Sequence, residues 1–361
     1  MKILHVETGR HLYGGPQQVL YLMTALAERG HDCTLVCPPG SGIDSAARRA
    51  AIPVRNLFCA GDLDLPFAYR LAQYLKDKKP DILHCHSRRG ADMLGGLAAS
   101  FADIPAVVSR RVDNTEMRLI AALRYRPFKK VIAISNAIAD VLRDRGVEDE
   151  RLVVIRSAVD VEQLTDHPDC AAMRREFDVP DDALVVAAAG QLIERKGHRF
   201  LLEAVRALRD RVPPFRVLLF GEGELDRELR EQAERLGIAD IVQFAGFRDD
   251  LDAYFGCIDL FVHPALSEGL GVATLKAAAA GVPVAGFAAG GLVEAVLDGQ
   301  TGLLAAPGDG DALTATIARL LDDEALRRRL GAAGRERMRD EFSINTMVNR
   351  HVALYESILN A

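Results

Sequence analysis

Residues Leu260–Leu304 read LFVHPALSEGLGVATLKAAAAGVPVAGFAAGGLVEAVLDGQTGLL. The opening LFVH is a short apolar run closed by Pro264, which predicts a buried parallel strand. A loop follows with one acid, Glu268, and then Gly269, Leu270 and Gly271. Val272 to Ala280 is alanine-rich and ends at Gly281, which predicts a helix with a glycine at its C-terminal end. Val282 to Ala285, spanning Pro283, predicts a second short strand. The order is strand, glycine turn, helix, strand. A helix opening at a glycine turn presents unsatisfied N–H groups and the positive end of its dipole, so phosphate is the natural ligand there. A single acid beside it suits a neutral, hydroxyl-rich group such as a sugar.

Within this stretch, SEGLGVATLKAAAAGVPVAG resembles the donor-sugar signature of the retaining GT-B glycosyltransferases of family 4, usually written E-G-F-G-x-x-x-x-E-A-M-A-x-G-x-P-V. GGLVE at Gly290–Glu294 and DGQTGLL at Asp298–Leu304 continue it in the expected order. The chain departs at one position: the signature's second glutamate falls on Lys276. In the family that acid holds the ribose of the nucleotide, and a lysine cannot accept a hydrogen bond. Lys276 is left with two readings, contact with a nucleotide phosphate or pairing with a nearby acid.

The chain has 361 residues, long enough for two domains, and a formal charge of -6, which excludes nucleic-acid binding by bulk charge. No apolar run reaches the roughly 18 residues needed to cross a bilayer. The start, MKILHVETG, reads as a strand and not as an export signal. Cys33, Cys37, Cys59, Cys85, Cys170 and Cys257 form no C-x-x-C pair, and the expectation is six reduced thiols in the cytoplasm. His84, Cys85 and His86 alternate faces at a strand end, which argues against one shared metal; no metal site is expected.

In the first half, Lys2–Val6 is a strand, GRHLYGGPQQ a loop, and Gln17–Arg29 an amphipathic helix closed by Gly30. Gly14, Gly15 and Pro16 at the helix start make either an anion-binding turn or a plain connection. Further strands are expected at Thr34–Cys37, Ile82–His86, Ala106–Ser109, Lys130–Ile134 and Leu152–Ile155, with helices at Pro66–Lys78 and Arg89–Phe101 and after Ser135, a candidate N-cap. HCHSRRGADMLGGLAA is similar to a family segment whose histidine and serine, here His86 and Ser87, end a strand at the ligand edge of the sheet. A strand-end histidine bonded to backbone is the plainer reading. Many family members carry a histidine after the next strand, where this chain has Ser109, Arg110 and Arg111. From Arg110 to Lys130 there are seven basic residues against Asp113 and Glu116, which suits an anionic acceptor or an anionic membrane surface, or else a solvated helix face. KVIAISNAIADVL and VVIRSAVDVEQL resemble the family's linker-side motifs, with Ser157-Ala158 where Asn-Gly is commoner.

The polar stretch after Asp160, with Pro168 and Pro180, places the domain boundary: 1–165 for the first domain, 166–342 for the second, and a terminal helix in 343–361 that packs back on the first. In the second half Leu184–Ala189 is an apolar strand, followed by GQLIERKGHRFLLEAV. Arg195 and Lys196 before Gly197 and a helix suit a diphosphate. The family pattern here is G-R-x-x-x-x-K-G; Gly190 and Lys196 match it, and Gln191 takes the place of the arginine. Arg216–Phe220 is a strand leading to the glycine turn of Gly221 and Gly223. Phe247 and Arg248 fall where the resemblance puts the nucleotide base. Asp311–Arg339 and Ser343–Leu359 are helical.

Alternating strands and helices predict an α/β chain of doubly wound parallel sheets. The resemblance implies the GT-B arrangement, two Rossmann-like domains facing across a cleft, and transfer of a sugar from a UDP-, GDP- or ADP-linked donor, with retention, to a glycan or lipid-linked acceptor. It implies Glu268, Arg195 and Lys196 as catalytic residues. The donor would lie against Gly190, Gln191, Gly221 and Gly223, against Gly269, Leu270, Gly271, Val272 and Lys276, and near Gly14, Gly15, Phe247 and Arg248. His86, Ser109, Arg110 and Arg111 would meet the acceptor. No cofactor beyond the nucleotide-sugar is implied. The expected setting is surface-polysaccharide or lipopolysaccharide assembly in the cytoplasm, with peripheral contact at the inner membrane. A catalytically silent binder of sugar nucleotides is the alternative.

Overall fold

The computed structural model describes residues 1–86, 90–113, 116–165 and 169–360. The sequence-expected contact Ser87 and the helix start at Arg89 lie outside the described residues. The chain forms two compact units, Met1–Ala158 with Ile344–Ala361, and Val159–Ser343.

The first unit holds seven strands, β1 (Lys2–Val6), β2 (Asp32–Cys37), β3 (Val54–Asn56), β4 (Ile82–Cys85), β5 (Ala106–Arg110), β6 (Lys130–Ala133) and β7 (Leu152–Val154). They lie in the order β3-β2-β1-β4-β5-β6-β7, and every pairing is parallel. Its helices are α1 (Gly14–Glu28), α2 (Gly42–Arg49), α3 (Leu65–Lys78), α4 (Ala91–Ala102), α5 (Arg118–Tyr125) and α6 (Asn136–Asp144). The sequence reading missed α2 and β3. α1 begins three residues earlier than expected, at the two glycines. Ser135 does cap α6, its hydroxyl accepting from the Ile138 N–H at 3.1 Å.

The second unit holds β8 (Leu184–Ala189), β9 (Phe215–Phe220), β10 (Val242–Gly246), β11 (Leu260–His263), β12 (Val284–Phe287) and β13 (Gly302–Ala305), in the order β10-β9-β8-β11-β12-β13, again all parallel. Around them run α7 (Cys170–Glu176), α8 (His198–Leu208), α9 (Asp226–Arg235), α10 (Val272–Ala279), α11 (Leu292–Ala295), α12 (Gly310–Asp322) and α13 (Glu324–Glu341). β8 is apolar along its length and β11 up to its last residue, His263, and both are buried on both faces, as strands covered by helices on each side must be. The helical run expected over Asp311–Arg339 is broken in two because Asp323 leaves the helix and caps the next one, accepting from the Leu326 N–H at 2.8 Å.

The last helix, α14 (Ile344–Leu359), belongs to the first unit. Its Met347, Val348, Leu354 and Tyr355 join the core formed by Ile3, Leu22, Leu26 and Val107. Arg29, which closes α1, donates to Asn349 and Asn345, fixing the helix from outside. Where the chain passes between units, Val159 donates to the Phe342 carbonyl, so the two crossings run side by side.

The cysteines correct one expectation. Cys170 and Cys257 are disulfide-bonded, with Cα atoms 5.2 Å apart, and not a pair of free thiols. They stand 87 residues apart in sequence, and only the fold brings α7 against the turn at Phe255–Cys257. Cys33, Cys37 and Cys85 are free thiols, and burial pushes the Cys33 thiol up to about 12 and that of Cys37 to about 11. Among the described residues no helix is long and apolar enough to cross a membrane.

Candidate active site

β8 and β11 are neighbours in the second sheet, so their C-terminal ends open side by side. This is where open α/β sheets bind ligands, and it brings together residues far apart in sequence. After β8 the chain makes a 3-10 turn at Glu194–Lys196; after β11 it passes Pro264 and reaches Glu268. The Lys196 Nζ donates to Glu268 Oε2 at 2.5 Å. His263, the last residue of β11, places its Nε2 2.8 Å from the same oxygen. The Gly269 N–H donates to Oε1 at 3.0 Å. Burial alone raises the Glu268 carboxyl, but the bonds from His263 and Lys196 outweigh it and hold the group well below the usual carboxylate range. A carboxylate accepts about four hydrogen bonds, so Oε1 keeps capacity for a ligand hydroxyl.

Two glycines set this geometry. Gly271 opens α10 with φ +87°, in the left-handed region that a side chain disfavours. Gly290 lets the following loop approach so closely that a Cβ there would stand 2.2 Å from the Glu268 carbonyl oxygen. That carbonyl accepts from the Gly291 N–H at 2.8 Å, and the acid's backbone is fixed as well as its side chain. The first N–H groups of α10 are left without helical partners, as at any helix start. Thr274 stands one turn in, and its buried hydroxyl has no hydrogen-bond partner among the described residues.

The other residues that the sequence reading expects at the donor fall as follows. The Arg195 carbonyl accepts from the Leu266 N–H and its guanidinium donates to the Ser267 carbonyl, tying it to the Glu268 loop. Gly190 lies against the Lys196 side chain, and Gly221 and Gly223 press against the backbone of Gly190 and Leu192. The Gln191 side chain is exposed, while its carbonyl is 3.2 Å from His198 Nε2. Leu270 is buried and Val272 half-buried. Lys276 donates to both carboxylate oxygens of Asp252 at 2.7 Å, so of its two readings the structure shows the paired one. Arg248 is forked onto Asp250 and bonded to Glu176 and Tyr254, and Phe247 beside it is exposed.

In the first unit, Gly14 and Gly15 form the first turn of α1, and a Cβ on Gly15 would touch the Arg111 side chain. Arg111 is half-buried, and burial brings its guanidinium down to about 10 although Glu7 and Tyr355 act the other way. Arg110 is buried, with Nη1 at 4.0 Å from Glu116. Ser109 is buried and its hydroxyl lies 2.8 Å from His84 Nε2. His86 is also buried; its side chain meets not backbone but His5, with Nε2 2.9 Å from His5 Nδ1.

Among the described residues His5, His84 and His86 form the group that could hold a metal, one nitrogen of each lying within 4.8 Å of the others. Cys85 faces away, as strand alternation requires, and the third donor comes from β1 through the His5–His84 register. Burial lowers all three imidazoles, His5 to about 3. His84 uses both nitrogens on Tyr355 and Ser109, and His5 and His86 bond each other, while His5 Nε2 and His86 Nδ1 are buried with no hydrogen-bond partner among the described residues. His5, His263, Thr274 and Asp252 were missed in the sequence. Only His263 had a local signal there, as the polar last residue of an otherwise apolar strand.

Residues 13–163 match the model described as Glycosyltransferase Family 4, and residues 170–337 match Glycosyl transferases group 1. The chain belongs to the family 4 glycosyltransferases of the GT-B fold. This glycosyltransferase is 29% identical over 362 residues to the lipopolysaccharide core biosynthesis glycosyltransferase LpsE of Rhizobium meliloti (strain 1021), with 99% of each chain covered. It is 25% identical to LpsD of the same organism, over 99% of this chain and 98% of the relative. Among solved structures, Anabaena Alr3699/HepE in complex with UDP and glucose superposes with a TM-score of 0.88 at 22% identity, over 99% of this chain and 100% of that one.

Proposed function

We propose that this glycosyltransferase moves a sugar from a nucleotide-sugar donor to a hydroxyl of a glycan or lipid-linked acceptor, with retention of configuration, in the assembly of lipopolysaccharide core or a related surface polysaccharide. The observation that carries it is the Lys196–Glu268–His263 cluster beside the start of α10. The names of LpsE and LpsD support the pathway, and the UDP-glucose complex of Anabaena HepE supports a nucleotide-linked donor. The acceptor would be used at the inner face of the cytoplasmic membrane.

In this reading the donor diphosphate lies against the N–H groups of Gly271 and Val272, with Arg195 and Lys196 adding positive charge. As the bond from the anomeric carbon to the phosphate oxygen breaks, negative charge grows on the phosphate and positive charge on the sugar. The cations and the helix end favour the first, and Glu268, held ionised, favours the second. The departing phosphate oxygen takes the proton of the acceptor hydroxyl, and the new bond forms on the face the phosphate leaves. No step is assigned to a metal ion, since Arg195 and Lys196 supply the positive charge at the phosphate.

The test is a thermal-shift panel with UDP, GDP, ADP and their sugar conjugates, followed by NMR of the product formed with the donor that binds. A melting shift with one conjugate, smaller in Glu268→Ala, and an anomeric configuration unchanged from the donor are expected. Inversion would overturn the retaining route, and no shift with any member would overturn the donor assignment.

A further inference from the structure

Helix α5 is built inside out. Its inward face carries Ala121, Arg124 and Tyr125, all buried. Arg124, only 4% exposed, reaches Asp92 of α4 at 2.5 Å, Glu116 at 3.0 Å and Asp62 at 3.7 Å. The Tyr125 hydroxyl adds a bond to Glu116 at 3.0 Å. The outward face carries Leu119 at 70% exposure and Leu123 at 59%, one turn apart, with Ile120 between them and Met117 at 68% just before the helix. A helix stabilised by its apolar face buries leucine and exposes arginine. Here an ion-pair network anchors the helix, and four large apolar side chains are turned to the outside.

The charges around this face are not mixed at random. Three acids packed against the helix, Glu116, Asp92 and Asp62, are turned to Arg124. The cations Arg118 and Arg126 at the two ends of the helix, and Lys129 beyond, are exposed. An apolar strip edged by outward cations, on a chain whose formal charge is -6, is complementary to one kind of surface: acyl chains under a layer of anionic headgroups. At 8 residues α5 is about 12 Å long, which suits lying in the interface and not crossing it.

We propose that α5, with Met117, docks this enzyme on an anionic lipid bilayer. The proposal rests on the inner-membrane setting given above and adds the surface that makes the contact. It also relocates the contact expected from the basic run Arg110–Lys130. Arg110 and Arg124 face inward, and the apolar residues between them carry the docking.

The experiment is flotation of the full chain with phosphatidylethanolamine vesicles, with and without phosphatidylglycerol. The wild type is expected to float with the mixed vesicles only. Leu119→Asp with Leu123→Asp should lose flotation while keeping the melting point and the shift given by donor nucleotide, because neither side chain supports the core. Arg118→Glu with Arg126→Glu should weaken flotation and leave folding intact. Flotation retained by the aspartate variant overturns the α5 face but leaves the membrane setting standing. No flotation of the wild type overturns both, and equal flotation without phosphatidylglycerol overturns the anionic partner. A dimer in light scattering that the aspartate variant splits, with no flotation, assigns the face to a second copy and overturns the lipid reading. The donor-induced shift reports on donor binding separately from all of these.

Discussion

Lys196 and Glu268 stand 72 residues apart in sequence and meet at 2.5 Å, because each follows one of two neighbouring parallel strands. The contact gives the carboxylate a fixed position and a fixed charge. Glu268→Gln keeps the shape and removes the charge. It is expected to lower kcat/KM by about 100-fold or more, the scale of losing one electrostatic group at a developing charge. Lys196→Met should cost a similar factor and also weaken donor binding, since the lysine serves the diphosphate as well. Steady-state transfer kinetics check both. Unchanged kcat/KM in Glu268→Gln would remove this acid from the mechanism.

Acid should expose the same bonds. The folded-state pKa of Glu268 lies below its ordinary value of 4.5, so the unfolded chain binds its proton first on acidification. Its stabilising effect is therefore complete above the ordinary carboxylate range and is lost as pH falls toward the folded pKa. The difference in melting temperature between wild type and Glu268→Gln should be constant above that range and shrink steadily below it. In a His263→Phe background the shrinkage should begin at higher pH, because one of the bonds that lower the pKa is gone. Differential scanning calorimetry across acidic buffers measures this directly.

The buried histidines act over a different window. Burial lowers His351 from 6.5 to about 4, and His5, His84 and His86 are lowered with it. Each is neutral in the fold and charged in the unfolded chain below 6.5. The stability they confer is complete above that pH and is lost as pH falls from it toward the folded values. The first unit should therefore lose melting temperature between neutrality and pH 4. His351→Leu, which removes one such group at a position where Nε2 has no partner among the described residues, should flatten the slope.

What was readable in the sequence was local. Apolar runs ending at proline or glycine marked the strands, Ser135 marked its helix, and the glycines around Glu268 marked the turn between β11 and α10. Partners supplied by another element were not readable. His5 reaches His84 and His86 only through the β1–β4 register, and Asp252 reaches Lys276 only because a short turn lies against α10. The basic run after Arg110 pointed outward in the sequence because the acids that turn Arg124 inward come from three separate segments.

Lys276 illustrates the consequence for design. Restoring the family's usual glutamate by Lys276→Glu would set it against the Asp252 carboxylate that the lysine now holds with two bonds at 2.7 Å. The single change is expected to lower stability and weaken donor nucleotide binding, not to recover a ribose contact. Lys276→Glu with Asp252→Lys should recover stability, with a coupling energy on the order of 1 kcal/mol for this partly exposed pair. A double-mutant cycle by chemical denaturation gives that term. Tighter nucleotide binding by the single variant would show that ribose recognition dominates the site.

The disulfide gives the last expectation. Cys170 and Cys257 close a loop of 87 residues within the second unit, joining α7 to the turn just before β11. A crosslink of that span removes freedom from the unfolded chain worth about 4.6 kcal/mol in the loop-entropy account. In a reducing cytoplasm the two thiols would lie side by side without that contribution. Oxidised protein is therefore expected to unfold at higher denaturant than protein kept in dithiothreitol. Cys170→Ser with Cys257→Ser should unfold like the reduced form under both conditions. Thiol titration of the unfolded chain should count two more groups after reduction. If the oxidised and reduced forms unfold together while the titration confirms the bond, the residual structure of the unfolded second unit must already hold α7 near β11, and the crosslink constrains nothing that is free to move.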